Sequence, residues 1–319
     1  MTASLPQDVQ EVFDRFITTE YTTIDGRGQP ITWPVTPYYE PGQATIDVTT
    51  GLGYPKKAAD AQRNPRVSLL FSDPTGCGID EPPMVLVQGA ARVDDDDLDA
   101  NRERYERESV EKLPAIKDKL PPKPVRRMLN WYFTRLYVKV RPERVWIWRD
   151  GADSEPELLD AHLEEVRSGH DEEPAADHAG PREREPAWDE RIEEMGSRYE
   201  TAVVSLVGPD GFPFSVRIPV AVDGDARRIR LGATPTGAPM QPGLACVAVH
   251  EHAPDFTWQR NFHVRGNLVE DDDGWAVVPC KLVGGFEVPE GGFVTFLREN
   301  FAKSRRFRRI AKDELAKRT

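Results

Sequence analysis

Residues Thr49 to Phe71, "TTGLGYPKKAADAQRNPRVSLLF", carry the signals of a strand, a turn, a helix and a second strand. β-Branched residues end the first strand, and Gly51 and Gly53 then permit the positive φ angles of a tight turn. The proline that follows suits a first helical turn, and the alanines after it are strong helix formers. An Asn-Pro pair at Asn64 stops the helix. We therefore predict a helix that begins at Lys56, followed by a strand.

Two lysines, Lys56 and Lys57, occupy the first turn of this predicted helix. The helix dipole favours anions there by about 0.3 to 1 kcal/mol, so two cations at that end need compensation. A bound phosphate would supply it, because it accepts hydrogen bonds from backbone N–H groups, from the Thr49 and Thr50 hydroxyls and from the lysines. The stretch thus predicts an anion site, and a solvated lysine pair at an ordinary strand-to-helix turn is the alternative.

The composition bounds the class of protein. A chain of 319 residues is long enough for two domains, and 39% hydrophobic with 30% charged residues is typical of a soluble globular protein. The net charge of -12 disfavours nucleic acid as a partner. No apolar run of about 18 residues predicts a membrane span, and no export signal is recognised, so we expect a cytoplasmic location. Three scattered cysteines, Cys77, Cys246 and Cys280, argue against disulfides and zinc.

Both halves of the chain repeat one order of elements. Each has an amphipathic helix and then a meander of strands that turns at an Asp-Gly pair, Asp25-Gly26 or Asp210-Gly211. Further on, Val87-Gln88-Gly89 corresponds to Val264-Arg265-Gly266. Short turns between consecutive strands require antiparallel pairing, and a closed barrel removes exposed edges. We therefore predict a tandem duplication: an α+β chain, mainly β with helices, of two fused antiparallel barrels, the second degenerate.

An acidic segment separates the two halves. Residues 151–187 are nearly free of aromatic residues and rich in Pro, Ala and Gly, which is linker composition. The predicted domains are an N-terminal barrel at 1–150, a flexible linker at 151–187, and a degenerate barrel at 188–319 that ends in a basic helix. A short helix within the linker stays open, because apolar residues between Leu158 and Val166 recur at helical spacing.

Two features of the first half are suited to ligand binding. The strand "TWPVTPYY" contains Pro34 and Pro37, which cannot both donate to a ladder, so we expect an edge strand with backbone groups available to a ligand. The segment Leu98–Leu136 is an insertion that the second half lacks. Its Trp131 and Tyr132 either line a substrate pocket or, as we favour, pack a helix on the barrel.

The order of "GQPITWPVTPYY", "TTGLGYPKKAADAQRNPRVSLLF", "VLVQGAARV" and "VRPERVWIW" resembles the pyridoxamine 5'-phosphate oxidase-like superfamily of flavin- and deazaflavin-binding split β-barrels. In that family a lysine stands seven residues before the Asn of the Asn-Pro pair, as Lys57 stands before Asn64. The resemblance implies that Lys57 holds the cofactor phosphate and that the strand from Trp33 runs along the cofactor ring. The residues implied to bind the cofactor are Trp33, Pro34, Val35, Thr36, Thr49, Thr50, Lys56, Lys57 and Gln88.

The resemblance also implies a function. The family includes enzymes that use FMN, enzymes that use the deazaflavin coenzyme F420, and haem-binding members. We therefore expect an FMN- or F420-dependent oxidoreductase that transfers hydride or electrons to a small organic substrate, with catalytic residues unknown. The alternatives are a haem-binding or haem-degrading protein and a cofactor-binding protein without turnover. Haem, the less favoured cofactor, would need a histidine such as His250 or His252, with His263 nearby, and we expect no metal site.

The second half departs from the family pattern. Its counterpart of the lysine stretch, "LGATPTGAPMQPGLACVAVH", has no lysine and carries prolines where the helix would be. We expect one competent site, not two. Such barrels commonly pair with the cofactor at the interface, so we expect an intramolecular pseudo-dimer, and a further homodimer stays open. The second-half arginines considered for contacts to the site are Arg217, Arg228, Arg230 and Arg265.

Overall fold

The structure is a computed structural model, and it describes residues 5–152, 154–160, 186–285 and 301–318. The helices are α1 (Gln7–Arg15), α2 (Lys56–Arg63), α3 (Leu98–Lys112), a 3-10 helix (Pro114–Lys119), α4 (Lys123–Met128), α5 (Asn130–Phe133), α6 (Glu190–Arg198) and α7 (Phe301–Ala316). Within these described ranges, no helix combines the length and the apolarity needed to cross a membrane.

Thirteen strands form two antiparallel sheets in the described residues. The strands are β1 (Thr19–Ile24), β2 (Pro30–Val35), β3 (Ile46–Gly51), β4 (Arg66–Phe71), β5 (Met84–Asp94), β6 (Arg135–Trp148), β7 (Glu157–Asp160), β8 (Thr201–Val207), β9 (Pro213–Asp223), β10 (Arg228–Leu231), β11 (Gly243–His252), β12 (Gln259–Asp271) and β13 (Gly274–Gly284). The predicted class, mainly β with helices, is confirmed.

The first sheet is an incompletely closed barrel. Its order is β2-β1-β4-β5-β6-β3, and β7 adds to β6. In the described residues the end strands β2 and β3 approach through one bridge, between Tyr38 and Asp47. Strand β2 pairs with β1, where Pro34 stands opposite Glu20, and it ends at Val35. The predicted edge strand is therefore confirmed.

The second sheet is a closed barrel of six strands. Its order is β10-β13-β12-β11-β8-β9, and β10 pairs with both β13 and β9, which closes the ring. Residues 232–242 between β10 and β11 contain no helix, whereas α2 occupies the corresponding place in the first barrel. The second half thus lacks the helix that carries the lysines, as the prolines of this segment predict.

The strand registers repeat between the two barrels. The β5–β6 ladder shifts register between Gln88 and Gly89, and the β12–β13 ladder shifts between Arg265 and Gly266. Each of the two glycines stands opposite a proline of the next strand. A Cβ at either glycine would lie 2.2 or 2.3 Å from a backbone oxygen, so only glycine fits both bulges. The predicted correspondence of these segments is confirmed.

The two barrels meet through a buried polar seam. Thr22 and Ser215 place their hydroxyl oxygens 2.9 Å apart, and Thr32 and Ser205 place theirs 2.6 Å apart. All four side chains belong to β1, β2, β8 and β9, the equivalent strands of the two halves, and all four residues are buried. Hydrogen bonds between paired hydroxyls satisfy these groups away from water, so the seam fixes how the barrels pack.

The amphipathic helices that precede each barrel bury their apolar faces as predicted. Helix α1 buries Val9, Val12 and Phe13, and α6 buries Ile192 and Met195. These residues recur every three or four positions, which is the spacing of one helix face. Each helix therefore covers the core of its own barrel.

The turn before α2 is built differently from the prediction. Helix α2 begins at the predicted residue and ends before the Asn-Pro pair. Neither Gly51 nor Gly53, however, has a positive φ angle. The two glycines are required for close packing instead: a Cβ on Gly51 would lie 2.8 Å from the Trp131 carbonyl oxygen, and one on Gly53 would lie 2.9 Å from the Cβ of Phe307.

The predicted linker and the C-terminal helix are only partly described. Strand β7 forms at Glu157–Asp160, in the segment for which the sequence left a short helix possible. The rest of that segment lies in residues 161–185, outside the described residues. Helix α7 returns to the first barrel, where Phe307 stacks on Trp131 with ring centroids 5.1 Å apart and Ala311 is buried. The C-terminal helix thus packs beside the lysine turn of the other half.

Candidate functional site

Lys57 lies where the two barrels meet, with no acidic partner in the described part of the chain. Its ammonium nitrogen is 6.0 Å from the ring centroids of both Trp33 and Tyr54, and the residue is half-buried. Trp33, on β2, contacts His263 of β12 edge-on, with ring centroids 4.2 Å apart. Helix α2 and the edge strand of the first barrel therefore bring a lysine and an aromatic ring against the second barrel.

The neighbouring Lys56 is in a different environment. Its side chain is 53% exposed, and its ammonium pairs with the Asp60 carboxylate at 2.8 Å. Asp60 also pairs with Arg63 at 2.9 Å. The expected conflict of Lys56 with the helix dipole is thus relieved within the helix by an acidic residue one turn later. Of the two lysines, Lys57 is the one whose charge lacks a described counter-charge.

Arg135, the first residue of β6, is a second cation that pairs with no carboxylate of the described residues. The residue is 5% exposed, and its guanidinium carbon lies 4.0 Å from the Tyr105 ring centroid and 4.4 Å from that of Tyr132. The terminal nitrogens donate to the hydroxyls of Tyr54 at 3.1 Å and Tyr105 at 2.6 Å. The Nε atom is buried without a hydrogen-bond partner in these residues. We call these four residues, Arg135 with Tyr54, Tyr105 and Tyr132, the tyrosine cage.

The charges of this region do not cancel. Burial of its ammonium, together with the nearby Arg135 guanidinium, lowers the pKa of Lys57 to about 7. Burial raises the pKa of Tyr54 and of Tyr132, so both phenols stay protonated and neither supplies a negative charge. Removing unpaired charges from water is unfavourable. An anionic ligand is therefore the group that this region favours.

The second barrel adds more positive charge across the seam. His263 is fully buried, and its Nε2 accepts a hydrogen bond from Arg265 Nε at 3.1 Å. Burial, with the charge of Arg265, lowers the pKa of His263 to about 3, so the imidazole is neutral near pH 7. The positive charges of Lys281 and Lys56 act on His263 in the same direction. Both sides of the junction are thus basic.

The remaining predicted residues of the first barrel lie around this junction with varying exposure. Thr50 is buried, and its hydroxyl donates to the Tyr54 carbonyl at 2.9 Å, which closes the turn before α2. The half-buried residues of the predicted set, besides Trp33 and Lys57, are Pro34, Val35, Thr36 and Thr49. The structure brings Lys57 and Trp33 together directly, and Thr50 fixes the turn that carries Tyr54.

Gln88 has a role between the barrels. The residue is 3% exposed, its Nε2 donates to the Pro213 carbonyl at 2.9 Å, and its Oε1 accepts from Trp146 Nε1 at 3.0 Å. Both ends of the amide are therefore engaged by protein groups. A contact from Gln88 to a cofactor stays a prediction.

In the second barrel, the place that corresponds to helix α2 is occupied by a loop packed on aromatic side chains. In the loop 232–242, Gly237 has a φ of 86°, and a Cβ there would lie 3.1 Å from the Trp146 ring. Trp146 stacks on Trp148 with centroids 6.4 Å apart and meets Phe214 edge-on at 5.6 Å. Large apolar side chains occupy this region of the second barrel, whereas Lys57 and Arg135 occupy the corresponding region of the first barrel. One competent site per chain stays a prediction that this asymmetry favours.

Two of the histidines considered for haem or metal, His250 and His252, stack in parallel beside Asp73 with ring centroids 6.4 Å apart. His250 Nε2 donates to Glu20 Oε1 at 2.7 Å, and His252 Nε2 lies 3.2 Å from the Thr18 hydroxyl. His263 lies instead against Trp33. Among the described residues, no three His, Cys, Asp or Glu side chains are arranged to hold a metal ion. The buried histidines therefore serve contacts between the two halves.

Three of the second-half arginines considered for the site are held by carboxylates elsewhere. Arg217 pairs with the buried Glu20 of β1 at 2.8 Å. Arg228 and Arg230 both pair with Asp271, Arg230 at 2.6 Å. Arg265, next to His263, is thus the arginine of this set that lies at the junction.

Sequence reasoning missed the tyrosine cage. Its members come from the turn before α2, from α3, from α5 and from β6, and only Tyr132 and Arg135 lie close together in the sequence. Trp131 is fully buried against Phe307, which confirms its packing role, whereas Tyr132 packs on Arg135. A usable signal was the placement of Arg135 directly after "NWYFT", because aromatic residues commonly pack on guanidinium groups.

The comparisons with known proteins give structural similarities. A scan against protein-family models finds no match, and no curated protein matches the chain. A putative pyridoxamine 5'-phosphate oxidase from Listeria innocua is similar, with 17% identity and a TM-score of 0.31 over 44% of this chain and 94% of that chain. General Stress Protein 26 from Bacillus anthracis is also similar, with 17% identity and a TM-score of 0.29; the match covers 48% of this chain and 99% of that chain. An F420 reductase is similar as well, with 17% identity and a TM-score of 0.34; the match covers 44% of this chain and 98% of that chain.

Proposed function

We propose that this chain is an oxidoreductase that binds a flavin or deazaflavin cofactor where its two barrels meet. The observation that carries the proposal is the environment of Lys57. This half-buried ammonium stands between the rings of Trp33 and Tyr54, beside Arg135, without a described acidic partner. A phosphate is a suitable counter-ion for such a group, because charge-assisted hydrogen bonds to phosphate are strong. The resemblance drawn from the sequence implies the same role for Lys57.

The residues present fit an anionic, aromatic cofactor. The Nε atom of Arg135 is a buried donor without a hydrogen-bond partner among the described residues, and such orphaned donors favour an acceptor nearby. The Trp33 ring supplies an apolar surface beside the cations. The edge strand β2 ends at Val35, and the half-buried Thr36 follows it, so backbone groups at this edge are available to a ligand.

The protein's own contribution is binding, orientation and exclusion of water. When bound, the cofactor would supply the hydride or electron transfer to a small organic substrate. Lys57 would hold the phosphate, and residues 33–36 would lie along the ring. His263 and Arg265 would form the wall that the second barrel contributes. Trp33 has no ionisable group and the imidazole of His263 is neutral near pH 7, so the proposal assigns no proton transfer to these two side chains.

Cofactor binding by the purified full-length protein tests this proposal. FMN, F420 and haemin would be added in turn, with absorption and fluorescence recorded. We expect FMN or F420 to bind, to be reduced by a suitable donor and to be reoxidised by an acceptor. Haem binding alone, or no binding, would contradict the proposal. A cofactor that binds but does not cycle would support the alternative of a cofactor-binding protein without turnover.

Two lysine variants give the matched control. Lys57→Met should weaken binding of the phosphate-bearing cofactor by about 1.5 to 3 kcal/mol, the typical contribution of a charged hydrogen bond. Lys56→Met changes the adjacent lysine, whose exposed ammonium already pairs with Asp60. We expect the second variant to bind like the wild type. Equal losses in both variants would indicate general electrostatic attraction instead of a phosphate site at Lys57.

A further inference from the structure

A buried charged cluster joins the two barrels and shares no residue with the proposed cofactor site. His250, on β11 of the second barrel, is its centre. The Nε2 atom lies 2.7 Å from Glu20 Oε1 and 2.9 Å from a terminal nitrogen of Arg217, and Nδ1 lies 3.5 Å from Asp73 Oδ2. The His250 and Glu20 side chains are 2% and 1% exposed. An imidazole of one barrel is thus placed between two carboxylates of the other.

The partners of His250 determine which nitrogen carries its hydrogen. An ionised carboxylate only accepts hydrogen bonds, so Nε2 is the donor to Glu20. Arg217 and the Ser72 hydroxyl donate to the same Glu20 oxygen, at 2.8 and 2.9 Å. In a neutral His250, Nδ1 is then a lone pair, and this buried atom has no hydrogen-bond partner among the described residues. It faces the Asp73 carboxylate, which also offers only lone pairs.

The second histidine of the stacked pair, His252, has no such open position. Its Nδ1 lies 2.9 Å from the Ala253 carbonyl oxygen, which can only accept, so Nδ1 carries the hydrogen. Its Nε2 accepts from the Thr18 hydroxyl at 3.2 Å and lies 3.8 Å from Asp73 Oδ2. Both nitrogens are satisfied in the neutral ring, and burial lowers the pKa of His252. The vacant position for a proton in this pair is therefore Nδ1 of His250.

The charges that face His250 are unequal when its ring is neutral. Glu20 comes from β1, Asp73 follows β4, and Arg217 comes from β9. Burial acts to raise the pKa of both acids, but the charge of His250 and that of Arg217 lower it, together with hydrogen bonds to each carboxylate, so both acids are ionised near pH 7. Two negative charges therefore face one positive charge. A proton on His250 balances them, while His252 stays neutral.

We infer that His250 is a pH-dependent bridge between the two barrels. As the pH falls, Nδ1 takes a proton from solvent, and the imidazolium then pairs with Glu20 on one side and with Asp73 on the other. Histidine is the side chain that ordinarily changes its charge between pH 5 and 8, so the bridge forms within that range. The Asp73 side chain is 14% exposed, which gives the proton a path from solvent. The barrels are held together more firmly in mildly acidic solution.

The geometry allows this bridge to close with little movement. A charge-assisted N–H···O bond is about 2.8 Å long, so the 3.5 Å between His250 and Asp73 must shorten by about 0.7 Å. The loops that follow these two residues are already in close contact, because a Cβ on Gly76 would lie 2.2 Å from the Pro254 carbonyl oxygen. Protonation therefore strengthens an existing contact and needs no rearrangement of either barrel.

A double-mutant cycle at two pH values tests the bridge. The full-length wild type, His250→Gln, Asp73→Asn and the double variant would be unfolded in urea at pH 5.5 and at pH 8.0. Glutamine retains a donor toward Glu20 but cannot take up a proton. We expect the two positions to be coupled by about tenfold in the unfolding equilibrium constant at pH 5.5, and to be nearly independent at pH 8.0. Coupling that is equal at both pH values, or absent at pH 5.5, would overturn the inference.

The neighbouring histidine provides the matched control. The cycle of His252→Asn with Asp73→Asn should give a coupling that does not change with pH, because His252 stays neutral. A pH-dependent coupling in this control cycle as well would assign the effect to Asp73 alone and overturn the role of His250. If His250→Gln does not fold, the imidazole ¹⁵N signals of the wild type replace the cycle. Protonation of His250 Nδ1 between pH 8.0 and 5.5 supports the bridge, and an Nδ1 that stays unprotonated at pH 5.5 overturns it.

Discussion

Replacing Lys57 by methionine should make the ligand-free protein more stable near pH 7. Burial and the Arg135 charge lower the pKa of Lys57 from an ordinary 10.5 to about 7. At about 1.4 kcal/mol per pKa unit, this change corresponds to at most about 5 kcal/mol of destabilisation by the ammonium. Because the side chain is half-buried and partly screened by solvent, we expect about 2 kcal/mol. Methionine keeps the length of the side chain and removes the charge.

The sign of the pH dependence follows from proton linkage. Between pH 7 and 10.5 the unfolded chain holds a proton on Lys57 that the folded chain has released. The free energy of unfolding of the wild type should therefore increase as the pH rises through that window. The Lys57→Met variant lacks this gain, so its advantage over the wild type should be largest at or below pH 7 and vanish near pH 10.5.

Urea denaturation in phosphate-free buffer, at several pH values between 6 and 10.5, measures this difference. Lys56→Met serves as the control, because an exposed lysine in an i,i+4 ion pair contributes only a few tenths of a kcal/mol. A Lys57→Met variant that is less stable than the wild type, or a difference that does not change with pH, would refute the reasoning about the unmatched charge. FMN or phosphate added to the wild type should reduce the difference, since a bound anion stabilises the charged lysine.

Three further predictions concern other parts of the structure. Glu20→Gln should destabilise the protein by about 3 kcal/mol, because it removes a fully buried carboxylate that pairs with the half-buried Arg217. Burial alone would raise the pKa of Glu20, but a hydrogen bond from His250 and the Arg217 charge lower it. Urea titrations should therefore show the wild type losing this contribution as the pH falls below about 4.5. Gly53→Ala should loosen helix α7, because the added Cβ would lie 2.9 Å from the Cβ of Phe307 in that helix. Faster amide hydrogen exchange in α7 would show this loosening. Gly224→Ala is the control, because a Cβ there meets nothing within 4 Å. His263→Phe should reduce the loss of stability between pH 6.5 and 3, where the unfolded chain binds a proton that the folded chain does not; an unchanged acid limb of the unfolding curve would contradict this.

The architecture of this chain could be inferred from its sequence because the signals are local and occur twice. Turn residues and alternating apolar residues mark the strands, and the Gly89 and Gly266 bulges recur at equivalent positions. The edge position of β2 follows from its prolines, which cannot donate to a ladder. Each of these features depends on a few neighbouring residues, so tertiary structure did not need to be known.

The candidate site could be predicted only in part. Lys57 and Trp33 were identified through the family resemblance, and the structure places them 6.0 Å apart, nitrogen to ring centroid. The ion pair of Lys56 with Asp60 was readable from its i,i+4 spacing but was not used. The cage around Arg135 depends on residues from four elements, so only the folded chain reveals it. The need for glycine before α2 likewise arises from packing against α7, not from local backbone geometry.

The stoichiometry of cofactor binding tests the account most directly. Titrating the full-length wild type with FMN, and in parallel with F420, measures both the affinity and the number of sites per chain. We predict one site per chain for FMN or F420, weaker binding in Lys57→Met, and wild-type binding in Lys56→Met. Two equivalent sites per chain, or an affinity that Lys57→Met leaves unchanged, would contradict a single phosphate site built by the first barrel.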